Sequence, residues 1–104
     1  MNISIVVPVY NECENIANLH REINDMCVRE GYTYEIIFVD DGSSDSSFQV
    51  AQSLTPITYM RLRKNFGQTA AMDAGIKAAK YDYIVTLDGD GQNDPADIPN
   101  LLKH

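Results

Sequence analysis

Two nucleotide-binding signatures are missing from this 104-residue chain, and their absence narrows its function. No G-x-G-x-x-G follows the first apolar run, which excludes a dinucleotide fold of that type, and no G-x-x-x-x-G-K-[ST] occurs, which excludes a P-loop NTPase. Cationic residues are scarce: 8 Lys and Arg against 15 Asp and Glu leave a formal charge of −7. A nucleic-acid backbone binder would need a basic stripe, so no nucleic-acid partner is expected. No apolar run approaches the ~20 residues of a membrane helix. The first strand is expected from residue 2, which leaves no room for a signal peptide. Cysteine is limited to Cys13 and Cys27. Both fall in one expected helix, separated by roughly 21 Å along its axis, too far for a disulfide. Two free thiols suit a reducing compartment, so a cytoplasmic protein is expected. His20, expected on the polar side of that helix, and the terminal His104 join no Ser-His-Asp or Cys-His arrangement.

What is present is a set of short apolar runs separated by helical patterns. Ile3 to Val9 is β-branched and nearly continuous, as in a strand buried on both faces, with Pro8 near its end. Asn11-Glu12-Cys13-Glu14 looks like a helix start, capped by Asn11. Ile16, Leu19, Ile23, Met26 and Cys27 form one apolar stripe, ended by Gly31. Tyr34 to Val39 reads as a second strand, followed by a short helix with Phe48, Ala51 and Leu54 inward, stopping before Pro56. Ile57 to Leu62 reads as a third strand. Gln68 to Lys80 reads as a helix with a small face of Ala71, Ala74, Gly75 and Ala78, and Tyr83 to Leu87 as a fourth strand. Asp94-Pro95 can open a last helical segment, with Pro99 leaving either one helix or a turn and a short helix over 100–103. One βαβαβαβα domain is expected: an α/β fold whose mainly parallel four-stranded sheet carries helices on both faces.

Chemistry concentrates at strand ends. Tyr83 to Leu87 runs into Asp88-Gly89-Asp90-Gly91-Gln92-Asn93-Asp94-Pro95. Residues two apart on extended chain face the same way, so Asp88 and Asp90 can point at one spot. Two carboxylates so close repel unless a cation or protons lie between them. With the Gln92 oxygen they form a hard-cation set, suited to Mg²⁺ or Mn²⁺. A calcium hand fails, because its sixth position is Asn93 and its twelfth Pro99. The second strand also ends in a pair, Asp40-Asp41; Asp45 and Asp94 read as helix caps. Ligands of open α/β sheets bind beyond the carboxyl ends of the strands, so converging carboxylates there point to a site. Arg61, near the end of the third strand, and Arg63 and Lys64, after it, could face a phosphate.

Four segments together resemble the inverting family 2 glycosyltransferases of GT-A fold: Ile5-Val6-Val7-Pro8-Val9-Tyr10-Asn11-Glu12, Glu35 to Asp45, Arg63-Lys64-Asn65-Phe66-Gly67-Gln68, and Leu87 to Pro95. The third segment and Gln92 resemble the branch of dolichyl-phosphate mannose synthase and the bacterial undecaprenyl-phosphate sugar transferases. The resemblance implies a Rossmann-like half-domain that binds a UDP- or GDP-sugar with Mg²⁺ or Mn²⁺. Pro8, Tyr10 and Glu12 would line the nucleoside pocket, Tyr10 against base or ribose. Val39 and Asp41 would contact the base, Asp41 accepting a ring N–H. Asp88, Gly89 and Asp90 match the DxD motif: Asp88 at ribose or metal, Asp90 at metal and diphosphate, with Gln92 a further metal ligand. Gly91 replaces a bulkier apolar residue. The family's catalytic domain is about twice this length, so the chain corresponds to its N-terminal, donor-binding half. The acceptor site, plausibly for a polyprenyl phosphate, the catalytic base and the membrane attachment would lie in the missing half, and the whole enzyme would work at the cytoplasmic face. The competing expectations are a phosphoacceptor receiver-like domain, using its acidic residues and Mg²⁺, and a non-catalytic module.

Overall fold

A computed structural model describes residues 1–45, 47–87 and 95–102. The β-branched run forms β1 (Asn2–Val9), buried from Ile3 onward. It lies between β2 (Thr33–Asp40) and β4 (Tyr83–Thr86), and β3 (Thr58–Arg61) extends the sheet beyond β2. All three pairings are parallel, giving the order β3-β2-β1-β4. Alternation along β1 sends Ile3, Ile5, Val7 and Val9 to one face and Val6 to the other. The first face packs on α1 (Ile16–Glu30) through Ile16, Leu19, Ile23, Met26 and Cys27. The second, with Ile37 and Val39 of β2, packs on α3 (Gln68–Ala78). Helices thus cover both faces, as the alternating pattern predicts.

Gly31 ends α1 in the left-handed region, and the Tyr32 N–H returns to the Cys27 carbonyl at 3.0 Å. After α2 (Ser47–Ala51) and β3 the chain enters α3. A short 3₁₀ turn (Pro95–Asp97) precedes α4 (Ile98–Leu102), so the last segment is a turn and a short helix. Pro99 sits in the first turn of α4, where a missing N–H is harmless. Ile98 is fully buried in the α1-side core.

Three expectations about α1 are corrected. It begins at Ile16, so Cys13 precedes it, and only Cys27 is helical. Cys27 is buried, and desolvation pushes its thiol up to about 12. Asn11 does not cap the helix; its side chain serves another loop, described below. His20 is buried, not on a polar face: its Nε2–H donates to the Pro56 carbonyl at 2.8 Å, and its ring meets Phe38 edge-on.

The small face of α3 has a steric reason. A Cβ on Gly75 would stand 2.4 Å from Val6 Cγ1 and 2.9 Å from Val39 Cγ2. Both valines are fully buried and stiff at χ1. Alanine would raise helix propensity by about 1 kcal/mol, but overpacking costs about 1–3 kcal/mol. Gly75→Ala is expected to lower stability by about 1–2 kcal/mol in urea unfolding. An unchanged midpoint would mean that α3 can lift off the sheet without loss.

Candidate functional site

The chain leaves β1 toward β2 and β3 on one side, and β4 pairs with the other side. The strand order therefore switches direction between β1 and β4, which is where open α/β sheets form a crevice. β4 runs parallel to β1, and the Leu87 N–H bonds to the Val6 carbonyl at 3.0 Å. Leu87 is the last described residue before 88–94, so Asp88, Gly89, Asp90, Gln92 and the expected cap Asp94 lie outside the described residues. Among the described residues, no three His, Cys, Asp or Glu side chains come together to hold a metal ion, and no helix is long and apolar enough to cross a membrane.

Three turns meet at the carboxyl edge of β1, β2 and β3, held together by side-chain oxygens. Asn11 has a φ of 52°, in the left-handed region that asparagine tolerates better than most residues. Its backbone N–H donates to Ser43 Oγ at 2.8 Å. Its Oδ1 accepts the backbone N–H groups of Ser44 (2.8 Å) and Asp45 (3.3 Å). Asp45 answers through Oδ2, which accepts the Cys13 N–H at 3.2 Å, while Oδ1 accepts the Ser47 N–H at 3.0 Å and so caps α2 as expected. Burial alone would raise the Asp45 carboxyl, but the Ser47 and Cys13 hydrogen bonds outweigh it and hold it below the ordinary range.

The Asp40-Asp41 pair does the same work deeper in the sheet. Asp40 is fully buried. Its Oδ1 accepts the Ser43 N–H at 2.7 Å and its Oδ2 the Tyr59 hydroxyl at 2.6 Å. Burial, then this bond, push the Tyr59 phenol above its ordinary range, so it stays a donor. Asp41 is 4% exposed, with Oδ1 accepting the Phe66 N–H (2.8 Å) and Oδ2 the Gly67 N–H (3.0 Å). It therefore seats the turn between β3 and α3.

That turn borders an open cleft of about 360 Å³, lined among the described residues by Arg63, Lys64 and Phe66. Phe66 is 56% exposed, with the Lys64 ammonium 5.3 Å from its ring centroid. Of the three expected cations, Arg63 and Lys64 face the cleft, whereas the Arg61 guanidinium lies over Phe48 at 5.0 Å. Tyr10 is exposed and Glu12 half-buried on the β1–α1 turn. Pro8 and Val39 are register partners and both buried; Val39 packs in the α3-side core. The structure thus brings Tyr10, Glu12, Asp41, Arg63 and Lys64 to one edge, with Pro8 and Val39 beneath it. Asn11, Ser43 and Tyr59 complete that edge in roles the sequence does not announce, because Asn11 reads as a helix start and the bonds that join the three turns span 19 to 34 residues.

The profile described as glycosyl transferase family 2 matches residues 4–104. The undecaprenyl-phosphate 4-deoxy-4-formamido-L-arabinose transferase of Pseudomonas fluorescens is 42% identical over 97% of this chain and 31% of its own length. The dodecaprenyl-phosphate galacturonate synthase of Rhizobium johnstonii is 39% identical over 99% of this chain and 32% of its own. The chain thus spans about a third of the length of the curated relatives it matches. Among solved structures, the mannosyltransferase PcManGT of Pyrobaculum calidifontis, in complex with GDP-Man and Mn²⁺, superimposes with a TM-score of 0.84 at 21% identity, over 97% of this chain and 31% of that one. The glucosyl-3-phosphoglycerate synthase of Mycobacterium tuberculosis, in complex with Mn²⁺, UDP and glucosyl-3-phosphoglycerate, does so with 0.78 at 23% identity, over 98% and 38%.

Proposed function

The chain belongs to glycosyl transferase family 2, and from that premise we propose that residues 1–104 are the nucleotide-sugar-binding part of a GT-A glycosyltransferase domain. The donor is a UDP- or GDP-sugar. The acceptor in the whole protein is a polyprenyl phosphate, glycosylated with inversion at the cytoplasmic face of the membrane. The names of the relatives, which pair undecaprenyl or dodecaprenyl phosphate with a sugar, support the acceptor class. Acceptor binding, the catalytic base and membrane attachment fall to parts of the relatives' length that this chain does not span.

The observation that carries the reading is the set of interlocked turns at the carboxyl edge of β1, β2 and β3, beside a cleft bearing Arg63, Lys64 and Phe66. Tyr10 offers an aromatic face for a base or ribose. Asp41 approaches the base with lone pairs left over from its two backbone bonds. Arg63 and Lys64 supply local positive charge on an acidic chain. Asp88, Asp90 and Gln92 form an all-oxygen donor set that fits Mg²⁺ or Mn²⁺, matching the Mn²⁺ of the two structural neighbours. Such an ion, when bound, supplies charge neutralisation for a diphosphate leaving group.

The receiver-like alternative conflicts with the strand order. A flavodoxin-like sheet places β1 between β2 and β3, whereas here β3 pairs with β2 and β4 with β1. Both carboxylates of the Asp40-Asp41 pair also hold structural donors.

Calorimetric titration with UDP and with GDP, each with and without Mn²⁺, tests the reading. One nucleotide is expected to bind more tightly with the metal, and Asp88→Ala/Asp90→Ala to weaken that binding about tenfold or more. Equal heats from wild type and variant would overturn the proposal. The chain alone is expected to show no sugar transfer.

A further inference from the structure

We propose that Tyr59, Asp40, Ser43 and Asn11 form a positioning chain, through which a hydroxyl on β3 holds the nucleoside-facing β1–α1 turn from outside the cleft. The inference rests on the nucleotide reading above. Four residues are joined by three hydrogen bonds in series. The Tyr59 hydroxyl donates to Asp40 Oδ2 (2.6 Å), the Ser43 N–H donates to Asp40 Oδ1 (2.7 Å), and the Asn11 N–H donates to Ser43 Oγ (2.8 Å). The path starts on β3, crosses the end of β2 and finishes on the turn after β1. Asn11 is flanked by Tyr10 and Glu12, so its dihedrals set where both side chains point.

The chain has little freedom to substitute water for a lost partner. Asp40 is fully buried and Ser43 is 7% exposed. Each Asp40 oxygen has one named partner, and removing either leaves a buried carboxylate oxygen short of a donor. Asn11 is held in a left-handed conformation that is uncommon outside glycine and persists only where its surroundings over-determine it. Those surroundings are the Ser43 hydroxyl and the two N–H groups on Asn11 Oδ1. Tyr59 also packs its ring on Phe48, with centroids 5.8 Å apart. Phenylalanine at position 59 keeps that packing and deletes only the hydroxyl.

The test uses this chain with Tyr59→Phe, Ser43→Ala, the double variant and Ser43→Thr. Two readouts are taken: Kd for UDP and GDP in Mn²⁺, and amide hydrogen exchange at Asn11, Ser43, Ser44 and Asp45, with the β1 and β2 core amides as reference. Tyr59→Phe is expected to weaken nucleotide binding about fivefold, and to speed exchange at these four amides about tenfold relative to the core. In the Ser43→Ala background, which removes the hydroxyl that accepts the Asn11 N–H, the same change should add little, because the chain is already cut. Ser43→Thr, which keeps the hydroxyl acceptor, should recover both readouts that Ser43→Ala loses. Fully additive effects, or exchange that rises only as much as global stability falls, would overturn the inference. If wild type binds no nucleotide, the donor reading fails, and the exchange data still decide whether the coupling exists. If wild type binds and Tyr59→Phe matches it in both readouts, the positioning chain fails while the donor reading stands.

Discussion

Asp41→Ala is expected to lower unfolding free energy by roughly 2–4 kcal/mol. Asp41 is nearly inaccessible, and each carboxylate oxygen accepts one backbone N–H, from Phe66 and from Gly67. Hydrogen bonds to a charged acceptor contribute about 1.5–3 kcal/mol each. The Gly67 N–H also reaches Asn65 Oδ1 at 3.0 Å, so its loss is partly offset and the sum falls short of two full bonds. A typical domain is stable by about 5–15 kcal/mol, so the variant should fold with a clearly lower denaturant midpoint and a similar slope. Exchange at the Phe66 and Gly67 amides should rise more than in the core. Asp41→Asn keeps one acceptor oxygen and should recover about half the loss. A midpoint shift worth less than about 1 kcal/mol would show that the 63–67 turn is held by something other than this carboxylate.

Gly42→Ala should unseat the same turn while leaving Asp41 intact. Gly42 has a φ of +78°, and a Cβ there would lie 2.6 Å from both Asn65 N and Lys64 C and 2.9 Å from Lys64 Cα. These are backbone atoms, so no rotamer change relieves the overlap. Left-handed strain contributes about 1–2 kcal/mol and overpacking about 1–3 kcal/mol, so a loss of roughly 2–4 kcal/mol is expected. Gly31→Ala separates the two contributions. Gly31 is also left-handed, at +71°, but a Cβ there meets nothing within 4 Å. Equal losses from the two variants would mean that the 64–65 backbone yields freely. A larger loss at Gly42, with weaker nucleotide binding, fits a turn whose seating places Arg63 and Lys64.

The strands were legible where burial on both faces left a β-branched run broken only by Ser4 and Pro8, as in Ile3 to Val9. The helices were legible where one stripe repeated, as from Ile16 to Cys27. His20 shows how identity can mislead. It lies four residues after Ile16 and three before Ile23, on the stripe itself, yet its polarity suggested the outer face. Its Pro56 partner comes from a distant turn. Asn11 was misread for a related reason: Asn-Glu-Cys-Glu has the pattern of a helix start, but the N–H groups that Asn11 caps belong to Ser44 and Asp45. The acidic strand ends were visible as a concentration of charge. That Asp41 spends both oxygens on backbone donors was not, because an N–H has no residue type to announce it. The cap at Asp45 was readable because its target, Ser47, is two residues away.

The sheet order also dictates a sequence of events in time. β1 lies inside the described sheet, and its two neighbours are made far apart in time. Asn2 pairs with Thr33, whereas Ile3 pairs with Tyr83, far later in the sequence. During synthesis the edge of β1 destined for β4 stays bare until residues 83–86 emerge. Such distant pairing slows folding, and an apolar unpaired edge invites association with other nascent chains. Ile3 to Val9 is therefore expected to benefit from chaperone cover until β4 has been made.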